Sequence, residues 1–374
     1  MQETISVLGG SQTKFGELWG YDLKELIDEA VADAIRSAGI MPTDIDAIVV
    51  ANMMGSDVNG QGHLGAYASS ILPHHPPALR VEAACASGGV AIHTACALLE
   101  SNRAGTVLVV GAEKLTDASN EDITKAIMSA GDNERDSASG LTFPGIFGLV
   151  ANRYMYEHGL TRDQLSLVSA LHHKNAVTNP YAQFHKEIAP EVISTSALVA
   201  DPLRLLDCSP ISDGAAAVIL STTKSSPVQL LASHVANDHI SLADRTSVTS
   251  FMTTRNAMER ALEEANVKRE DIDVIELHDC FSIAALIHME DMGFAEAGRG
   301  IELYQEPRLA VNPSGGLKAC GHPIGATGVK QIVDCWKQLT KKAPNQTKDA
   351  TVALAHNIGG VAATCALHIL ATNA

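Results

Sequence analysis

Apolar residues along this chain follow two alternating spacings, one typical of helices and one of buried strands. Helical spacing first appears in a set that repeats every three or four residues: Leu23, Leu26, Ile27, Ala30, Val31, Ala34 and Ile35. A short apolar run over 47–51 follows and predicts a buried strand. The same pair of patterns returns as a helical set over 258–265 and an apolar run over 274–277. This alternation favours parallel βαβ units.

The two helical patterns also end in the same way. Gly39 closes the first and Asn266 the second, and these residue types most readily adopt the left-handed conformation after a helix. Each segment then reads Asp-Ile-Asp before its apolar run. A second pair of segments, 85–113 and 321–360, each gives a Gly-rich turn, a helix and an apolar strand. We therefore predict an α/β fold made of two duplicated halves that pack pseudo-symmetrically.

The stretch between the two halves has a different composition. It begins polar and acidic and continues with a predicted helical stretch over 147–178. We interpret residues 116–199 as an inserted loop domain that covers the functional site. The predicted N-terminal half then comprises residues 1–115 and 200–224, and the predicted C-terminal half comprises residues 225–374.

Charge and cysteine content narrow the classes of function. The 374 residues carry a formal net charge of −16 with no run of Lys or Arg, so we expect no nucleic-acid binding. The first residues do not combine a basic segment with a long apolar stretch, so we expect no signal peptide. The sequence has no window of 18 uncharged apolar residues, so we expect no membrane span. The seven cysteines include no CxxC pair, which favours free thiols, no bound metal and a reducing, cytoplasmic location.

Cys85 is the first candidate for chemistry, because it precedes Ser87-Gly88-Gly89 at a predicted strand-to-helix turn. The positive end of the helix would lower the pKa of such a thiol, and the glycines would leave backbone N–H groups free to bind an oxyanion. The alternative reading is a buried structural cysteine.

Three further segments follow predicted strands or open a predicted helix. His322 lies in a Gly-His-Pro turn, and the repeat places it within about two residues of the position equivalent to Cys85. His278 and Cys280 follow the strand at 274–277, where sites form in parallel sheets. The segment "HNIGG" (356–360) could offer a backbone N–H for a second oxyanion hole. A histidine beside a thiol is the general base that a cysteine nucleophile requires. Each segment alone could be purely structural.

Together these motifs make the chain resemble a thiolase, over essentially its whole length. It is most similar to the branch that includes the sterol-carrier-protein thiolases and the archaeal acetoacetyl-CoA thiolases. Five segments carry the resemblance: "VEAACASGGVAI", "FPGIFGLVANRYM", "PLRLLDCSPISDGAAAVIL", "ELHDCFSIAAL" and "NPSGGLKACGHPIGATG". It implies a five-layered αβαβα fold, usually dimeric, that acts on coenzyme A (CoA) thioesters.

The resemblance also implies roles for individual residues. Cys85 would be the acylated nucleophile and His322 its activator, while His278 would stand where many thiolases have an asparagine that helps to bind the thioester oxygen. Asn357 stands where many thiolases have an acid/base cysteine, and Cys280 takes that role in this branch. Gly359, Asn357 and Phe281 would form an oxyanion hole or contact substrate.

Two other functions are compatible with these residues. A decarboxylating condensing enzyme of the ketoacyl-synthase kind would use Cys85, His278 and His322 and leave Cys280 idle. A non-catalytic acyl-CoA-binding scaffold would use none of them for chemistry. We expect no permanently bound cofactor, acyl-CoA and CoA as substrates, a homodimer or a dimer of dimers, and potential pairing with a small OB-fold protein that helps to hold CoA.

Overall fold

The computed structural model describes residues 4–372, which form twelve strands and twelve α-helices. The strands are β1 (Ile5–Gln12), β2 (Ala47–Ala51), β3 (Ala78–Val81), β4 (Thr106–Glu113), β5 (Leu198–Ala200), β6 (Leu203–Arg204), β7 (Gly214–Ser221), β8 (Val228–Asn237), β9 (Val274–Glu276), β10 (Ala310–Val311), β11 (Val352–Gly359) and β12 (Thr364–Thr372). The helices are α1 (Leu23–Ala38), α2 (Leu64–Ile71), α3 (Ser87–Glu100), α4 (Asn120–Ile127), α5 (Phe143–His158), α6 (Arg162–Ala176), α7 (Pro190–Ser194), α8 (Met252–Ala265), α9 (Ser282–Asp291), α10 (Glu302–Gln305), α11 (Gly316–Cys320) and α12 (Ile324–Leu339).

Ten of the strands form two five-stranded halves with the same strand order. The order in the first half is β1-β7-β4-β2-β3 and in the second β8-β12-β11-β9-β10. In each half the three outermost strands are parallel, and the strand that follows them pairs antiparallel with both of its neighbours. A short pairing of β1 with β8 links the halves, with Ile5 opposite Leu230. The predicted duplication is therefore confirmed.

The helices form three layers around the two half-sheets. Helices α1 and α2 pack on the outer face of the first half, and α8 and α9 cover the outer face of the second. Between the half-sheets lie α3 and α12, each of which contacts strands of both halves. The result is the predicted five-layered αβαβα arrangement, and the three principal apolar cores fill the spaces between its layers.

Helices α3 and α12 approach each other at glycines. A Cβ on Gly88 would lie 2.6 Å from the backbone nitrogen of Gly328, and a Cβ on Gly328 would lie 2.2 Å from that of Gly89. Real side chains do not tolerate such distances, so only glycine allows the two helix starts to meet. This contact brings the N-terminal ends of α3 and α12 together at the centre of the molecule.

The helix ends that the repeat predicts are present. Gly39 follows α1 with φ of 65° and Asn266 follows α8 with φ of 50°, both in the left-handed region. The helical stretch predicted at 147–178 is present and is divided into two helices, α5 and α6. Gly159, with φ of 68°, ends α5, and Thr161 accepts a hydrogen bond from the N–H of Gln164 to begin α6.

No helix within residues 4–372 is both long enough and apolar enough to cross a membrane.

Candidate active site

A cavity of about 380 Å³ opens where the two halves and the segment 116–199 meet. Four side chains singled out from the sequence line it: Cys85, His278, Cys280 and His322. Apolar side chains make up much of the remaining wall, among them Leu115, Ile123, Ile127, Phe143, Phe147 and Ile211. The cavity therefore combines a small polar group of thiols and imidazoles with an apolar surround, as binding sites for small molecules commonly do.

Cys85 comes from a tight turn between β3 and α3. Ala84 before it has φ of 51°, a conformation that a residue with a Cβ adopts only when its surroundings enforce it. The Ser87 hydroxyl holds the turn, because it donates to the Ala84 carbonyl at 2.6 Å and accepts from the Ala83 N–H at 2.9 Å. The half-buried thiol is thereby fixed at the N-terminal end of α3.

The expectation that the pKa of Cys85 would be lowered was wrong. Burial and, after it, the charge of Glu113 raise the pKa of this thiol to about 12, although a hydrogen bond from the Gly360 N–H acts in the opposite direction. The helix end is therefore not sufficient to keep Cys85 as a thiolate, and a nucleophilic role for this thiol would require a base that removes its proton.

Hydrogen bonds on the side away from the cavity fix both the backbone and the ring of His322. Its N–H donates to the Ser212 hydroxyl at 2.9 Å, and its Nδ1 lies 2.7 Å from Thr327 Oγ1. This arrangement leaves Nε2 as the ring nitrogen available to the cavity. Burial lowers the pKa of His322 to about 4, so the imidazole is neutral near pH 7 and able to accept a proton.

His278 lies edge-on to His322, with 5.0 Å between ring centroids and an interplanar angle of 89°. Its Nδ1 is 3.0 Å from Asn357 Nδ2, which again leaves Nε2 towards the cavity. Burial, and after it the neighbouring His322 and His356, hold the pKa of His278 well below its usual value. Two neutral imidazoles thus face the same cavity.

Cys280 is buried, and the pKa of its thiol is raised, first by burial and then by the nearby Cys85. A buried cation lies behind this segment: Lys318 donates to the carbonyl oxygens of Asp207 at 2.6 Å and Asp279 at 2.8 Å. Because it holds both carbonyls, Lys318 ties the segment that carries His278 and Cys280 to the loop after the insertion.

Asp279, between those two residues, points away from the cavity. Its carboxylate accepts from His172 Nδ1 at 2.8 Å and from the Leu317 N–H at 2.7 Å. Burial alone would raise the pKa of Asp279, but His172 and Lys318 outweigh it and bring the pKa down to about 2. A permanent charge therefore anchors this segment from the side opposite the cavity.

The remaining predicted residues fall on different sides of the cavity wall. Phe281 lines the cavity and stacks on Phe147, with 4.5 Å between ring centroids. Asn357 lies behind the wall, where it donates to the Cys85 carbonyl at 2.9 Å and accepts from the Gly89 N–H at 3.0 Å. The backbone of Gly360, one residue beyond the predicted Gly359, lines the cavity and donates to the Cys85 thiol.

Four residues that the sequence reading did not single out belong to the site. Thr327 and Lys318 hold the reactive segments from outside the cavity, and Cys208 and Phe143 line it. The motif "GHPIGATG" contains Thr327, five residues after His322, but nothing in this spacing shows which ring nitrogen Thr327 would contact. Within residues 4–372, no group of three or more His, Cys, Asp or Glu side chains is placed to hold a metal ion.

Comparison with known proteins agrees with this architecture. Residues 5–224 match the family description "Thiolase, N-terminal domain" and residues 234–372 match "Thiolase C-terminal domain-like". An acetyl-CoA acetyltransferase of Methanothermobacter thermautotrophicus is 43% identical, over 98% of each chain, and sterol carrier protein 2 of Bos taurus is 32% identical, over 96% of this chain and 70% of that one. Among solved structures, an Ltp2-ChsH2(DUF35) aldolase superposes with a TM-score of 0.86 at 20% identity, over 99% of this chain and 98% of that one, which shows the shared fold.

Proposed function

The chain belongs to the thiolase family and is an acyltransferase, and from this premise we propose that it moves acyl groups between CoA thioesters through an acyl-enzyme on Cys85. In one direction a 3-ketoacyl-CoA and CoA become an acyl-CoA and acetyl-CoA, and in the other two thioesters condense. The observation that carries the proposal is the meeting of two thiols and two neutral imidazoles in one largely apolar cavity.

The first step is attack by Cys85 on the keto carbon of a 3-ketoacyl-CoA. Because the Cys85 thiol is protonated at neutral pH, His322 takes its proton through Nε2 as sulfur attacks. The attack gives a tetrahedral alkoxide bonded to the Cys85 sulfur, and this alkoxide collapses to a thioester on Cys85 when the carbon–carbon bond breaks. The N–H of Gly360 donates to the Cys85 thiol, which supports a role for it in binding the thioester group, and one such donor is typically worth about 3 kcal/mol in the transition state.

Cleavage of the carbon–carbon bond releases the enolate of acetyl-CoA. Cys280 gives its proton to the enolate carbon and becomes a thiolate, while His278 is positioned to donate to the enolate oxygen. CoA then loses its thiol proton to the Cys280 thiolate and attacks the acyl group. Cys85 leaves as a thiolate and recovers its proton from His322, so every group returns to its starting state.

The wall of the cavity favours an uncharged acyl group. Of the described residues that line it, none is Asp, Glu, Lys or Arg, and Lys318 behind the wall is engaged by two carbonyls. A free carboxylate on the acyl chain would therefore lose its hydration without gaining a partner. We expect thiolysis of 3-ketohexanoyl-CoA to exceed that of 3-ketoadipyl-CoA at least about 100-fold in kcat/KM.

Two cysteine variants and one control test the mechanism. Cys85→Ala should give no mass increment after incubation with acetyl-CoA. Cys280→Ala should keep the acetyl adduct and lose carbon–carbon bond exchange. Cys208→Ala, which removes another thiol from the same cavity, is the matched control and should retain most of the exchange. Normal turnover by Cys280→Ala would show that the acid/base assignment is wrong.

The presence of Cys280 in the cavity separates the proposal from the decarboxylating alternative. Loss of carbon dioxide from a malonyl group generates a carbanion without a base, so that reaction leaves Cys280 without a role. Consumption of malonyl thioesters would favour the condensing enzyme, and the absence of any acetyl-CoA/CoA exchange would favour the scaffold.

Assembly is a further part of the proposal. We propose a homodimer, supported by the edge strand β3, which within residues 4–372 pairs only with β2 and exposes Leu79. Light scattering on the purified protein tests it, and a monomer at micromolar concentration would contradict it. Pairing with an OB-fold protein, a cytoplasmic location and the domain limits 116–199 and 225–374 stay predictions.

A further inference from the structure

We propose that Asn357 and Thr327, two side chains outside the cavity, set opposite tautomers on the two imidazoles within it. His278 then presents an N–H to substrate and His322 presents a lone pair. The inference rests on the proposed function, because it assigns a donor and a base to that reaction. Both residues act as positioning residues, since neither lines the cavity.

The orientation of the Asn357 amide follows from its three partners. The Gly89 N–H can only donate, so the atom 3.0 Å from it is the amide oxygen. The amide nitrogen is then 2.9 Å from the Cys85 carbonyl and 3.0 Å from His278 Nδ1, and it has one hydrogen for each. His278 Nδ1 must therefore accept, which places the ring proton of the neutral imidazole on Nε2, the nitrogen available to the cavity.

The same reasoning gives His322 the other tautomer. The hydroxyl of Thr327 has one proton and lies 2.9 Å from the Pro323 carbonyl, which can only accept. Its other contact, at 2.7 Å, is His322 Nδ1. Both contacts are hydrogen bonds only if Thr327 donates to Pro323 and accepts from His322. The proton of His322 therefore lies on Nδ1, and its Nε2 carries a lone pair.

The two tautomers give His322 and His278 different roles, although both are neutral imidazoles. A lone pair on His322 can take the Cys85 proton, whereas an N–H on His278 can bind the oxygen that becomes negative when the enolate forms. If the tautomers were exchanged, His322 would present an N–H to the cavity and could not accept a proton. His278 would present a lone pair and could not donate to an oxyanion. Burial supports the division, because it lowers the pKa of both imidazoles and keeps them neutral.

Neutron diffraction from a deuterated crystal tests the assignment directly. The expected map shows deuterium on Nε2 of His278 and on Nδ1 of His322. Deuterium on Nδ1 of His278, or on Nε2 of a neutral His322, would overturn the proposal. This measurement needs no variant and no activity.

Two variants of Thr327 test the kinetic consequence. Thr327→Val has nearly the same shape but removes the acceptor for Nδ1–H, so the Nε2–H tautomer competes and formation of the acetyl adduct on Cys85 should slow between about 10- and 100-fold. Thr327→Ser keeps the hydroxyl and should restore the rate. The KM for acetyl-CoA should change little, because Thr327 does not reach the cavity.

Asn357→Asp should affect the other step. The carboxylate still accepts from Gly89 but cannot donate, so His278 must place its proton on Nδ1 to meet it and loses its N–H towards the cavity. Carbon–carbon bond exchange should fall about 100-fold or more, and acetyl-adduct formation should fall less. If both steps fall equally in the two variants, or only the melting temperature changes, the positioning roles are wrong. Wild-type enzyme that forms no acetyl adduct would instead contradict the proposed function itself.

Discussion

Replacement of Gly328 by alanine tests whether the contact between α3 and α12 positions the active site. The added Cβ would lie 2.2 Å from the Gly89 nitrogen and 2.4 Å from Asn357 Oδ1. Ordinary contacts between such atoms are about 3.5 Å, so the two helices must separate by roughly 1 Å. The Gly89 nitrogen and Asn357 Oδ1 form the hydrogen bond that ties the start of α3 to β11, so this separation displaces Cys85 relative to His278.

The magnitudes follow from this geometry. Overpacking of a close-packed core costs about 1–3 kcal/mol, and the higher value applies here because the clash is with backbone. Alanine recovers about 1 kcal/mol of helix propensity, which leaves a net loss near 2 kcal/mol. For a chain of this length the unfolding entropy is about 0.8 kcal/mol/K, so the melting temperature should fall by about 2–3 °C. Thiolysis kcat/KM should fall about 100-fold, since a displacement of 1 Å at reacting groups has effects of that size.

The matched control is Gly145→Ala in α5. Its Cβ would meet Thr142 Oγ1 at 3.4 Å and Leu141 Cδ2 at 3.8 Å, which are ordinary contacts. This variant should keep its activity and melt at the same or a slightly higher temperature. Differential scanning calorimetry and thiolysis kinetics on both variants complete the test. Wild-type activity in Gly328→Ala would refute the reasoning, because the helices could then separate without disturbing the site.

Three other perturbations have defined outcomes. Lys318→Met should lower the free energy of unfolding by about 3 kcal/mol, measured by urea titration, because it removes a buried cation from its carbonyl partners; an unchanged midpoint would contradict this role. Phe147→Ala should enlarge the cavity and raise the kcat/KM for 3-ketodecanoyl-CoA relative to acetoacetyl-CoA about tenfold, and an unchanged ratio would show that Phe147 does not limit the acyl pocket. Acidification from pH 6.5 to pH 5 should destabilise the fold by up to about 1.4 kcal/mol per pH unit for each histidine whose pKa burial lowers, because such a histidine binds a proton near pH 6.5 when unfolded and does not when folded. Glu113 and Glu276, with pKa values raised by burial to about 7, oppose this trend, and urea titrations that show greater stability at pH 5 would contradict it. The histidines with lowered pKa outnumber them: His173, His278, His288, His322, His356 and His368.

The duplicated fold could be predicted because its signals are local. Helical spacing, a left-handed cap at Gly39 and Asn266, and an apolar run after each cap depend on near neighbours in sequence. The meeting of Cys85 with His278 and His322 could be predicted as well. In a duplicated parallel fold, equivalent strand ends and helix starts lie near one another, so residues far apart in sequence occupy related places.

The remaining features depend on contacts that spacing does not encode. A helix end was expected to lower the pKa of Cys85, but burial and the charge of Glu113, which the turn sequence does not reveal, raise it. A donor to the Cys85 thiol comes from Gly360, which has φ of 62° in the turn after β11, and a pattern of consecutive glycines does not tell which N–H faces the cavity. The oxyanion-hole role of Gly359 stays a prediction.

The hydrogen bonds of Asn357 limit which side chain can transfer a proton in the proposed reaction. Its amide uses both hydrogens and its oxygen on protein partners, it is 1% exposed, and an amide has no proton to exchange near neutral pH. In the proposed reaction, the group that moves a proton to the substrate carbon must therefore come from another side chain in the cavity, and Cys208 and Cys280 are the thiols available beside Cys85.

These two thiols differ in what surrounds them. The Cys208 thiol has a hydrogen-bond partner that does not line the cavity, since its sulfur donates to the Arg204 carbonyl at 3.5 Å. Cys280 is two residues from His278, and its pKa is affected by the charge of Cys85, which places it next to both the proposed oxyanion donor and the proposed nucleophile. In the proposed mechanism, an acid/base group must be within reach of the carbon that lies beside the oxygen assigned to His278. The arrangement therefore favours Cys280 over Cys208, and exchange activity that survives Cys280→Ala but not Cys208→Ala would reverse this assignment.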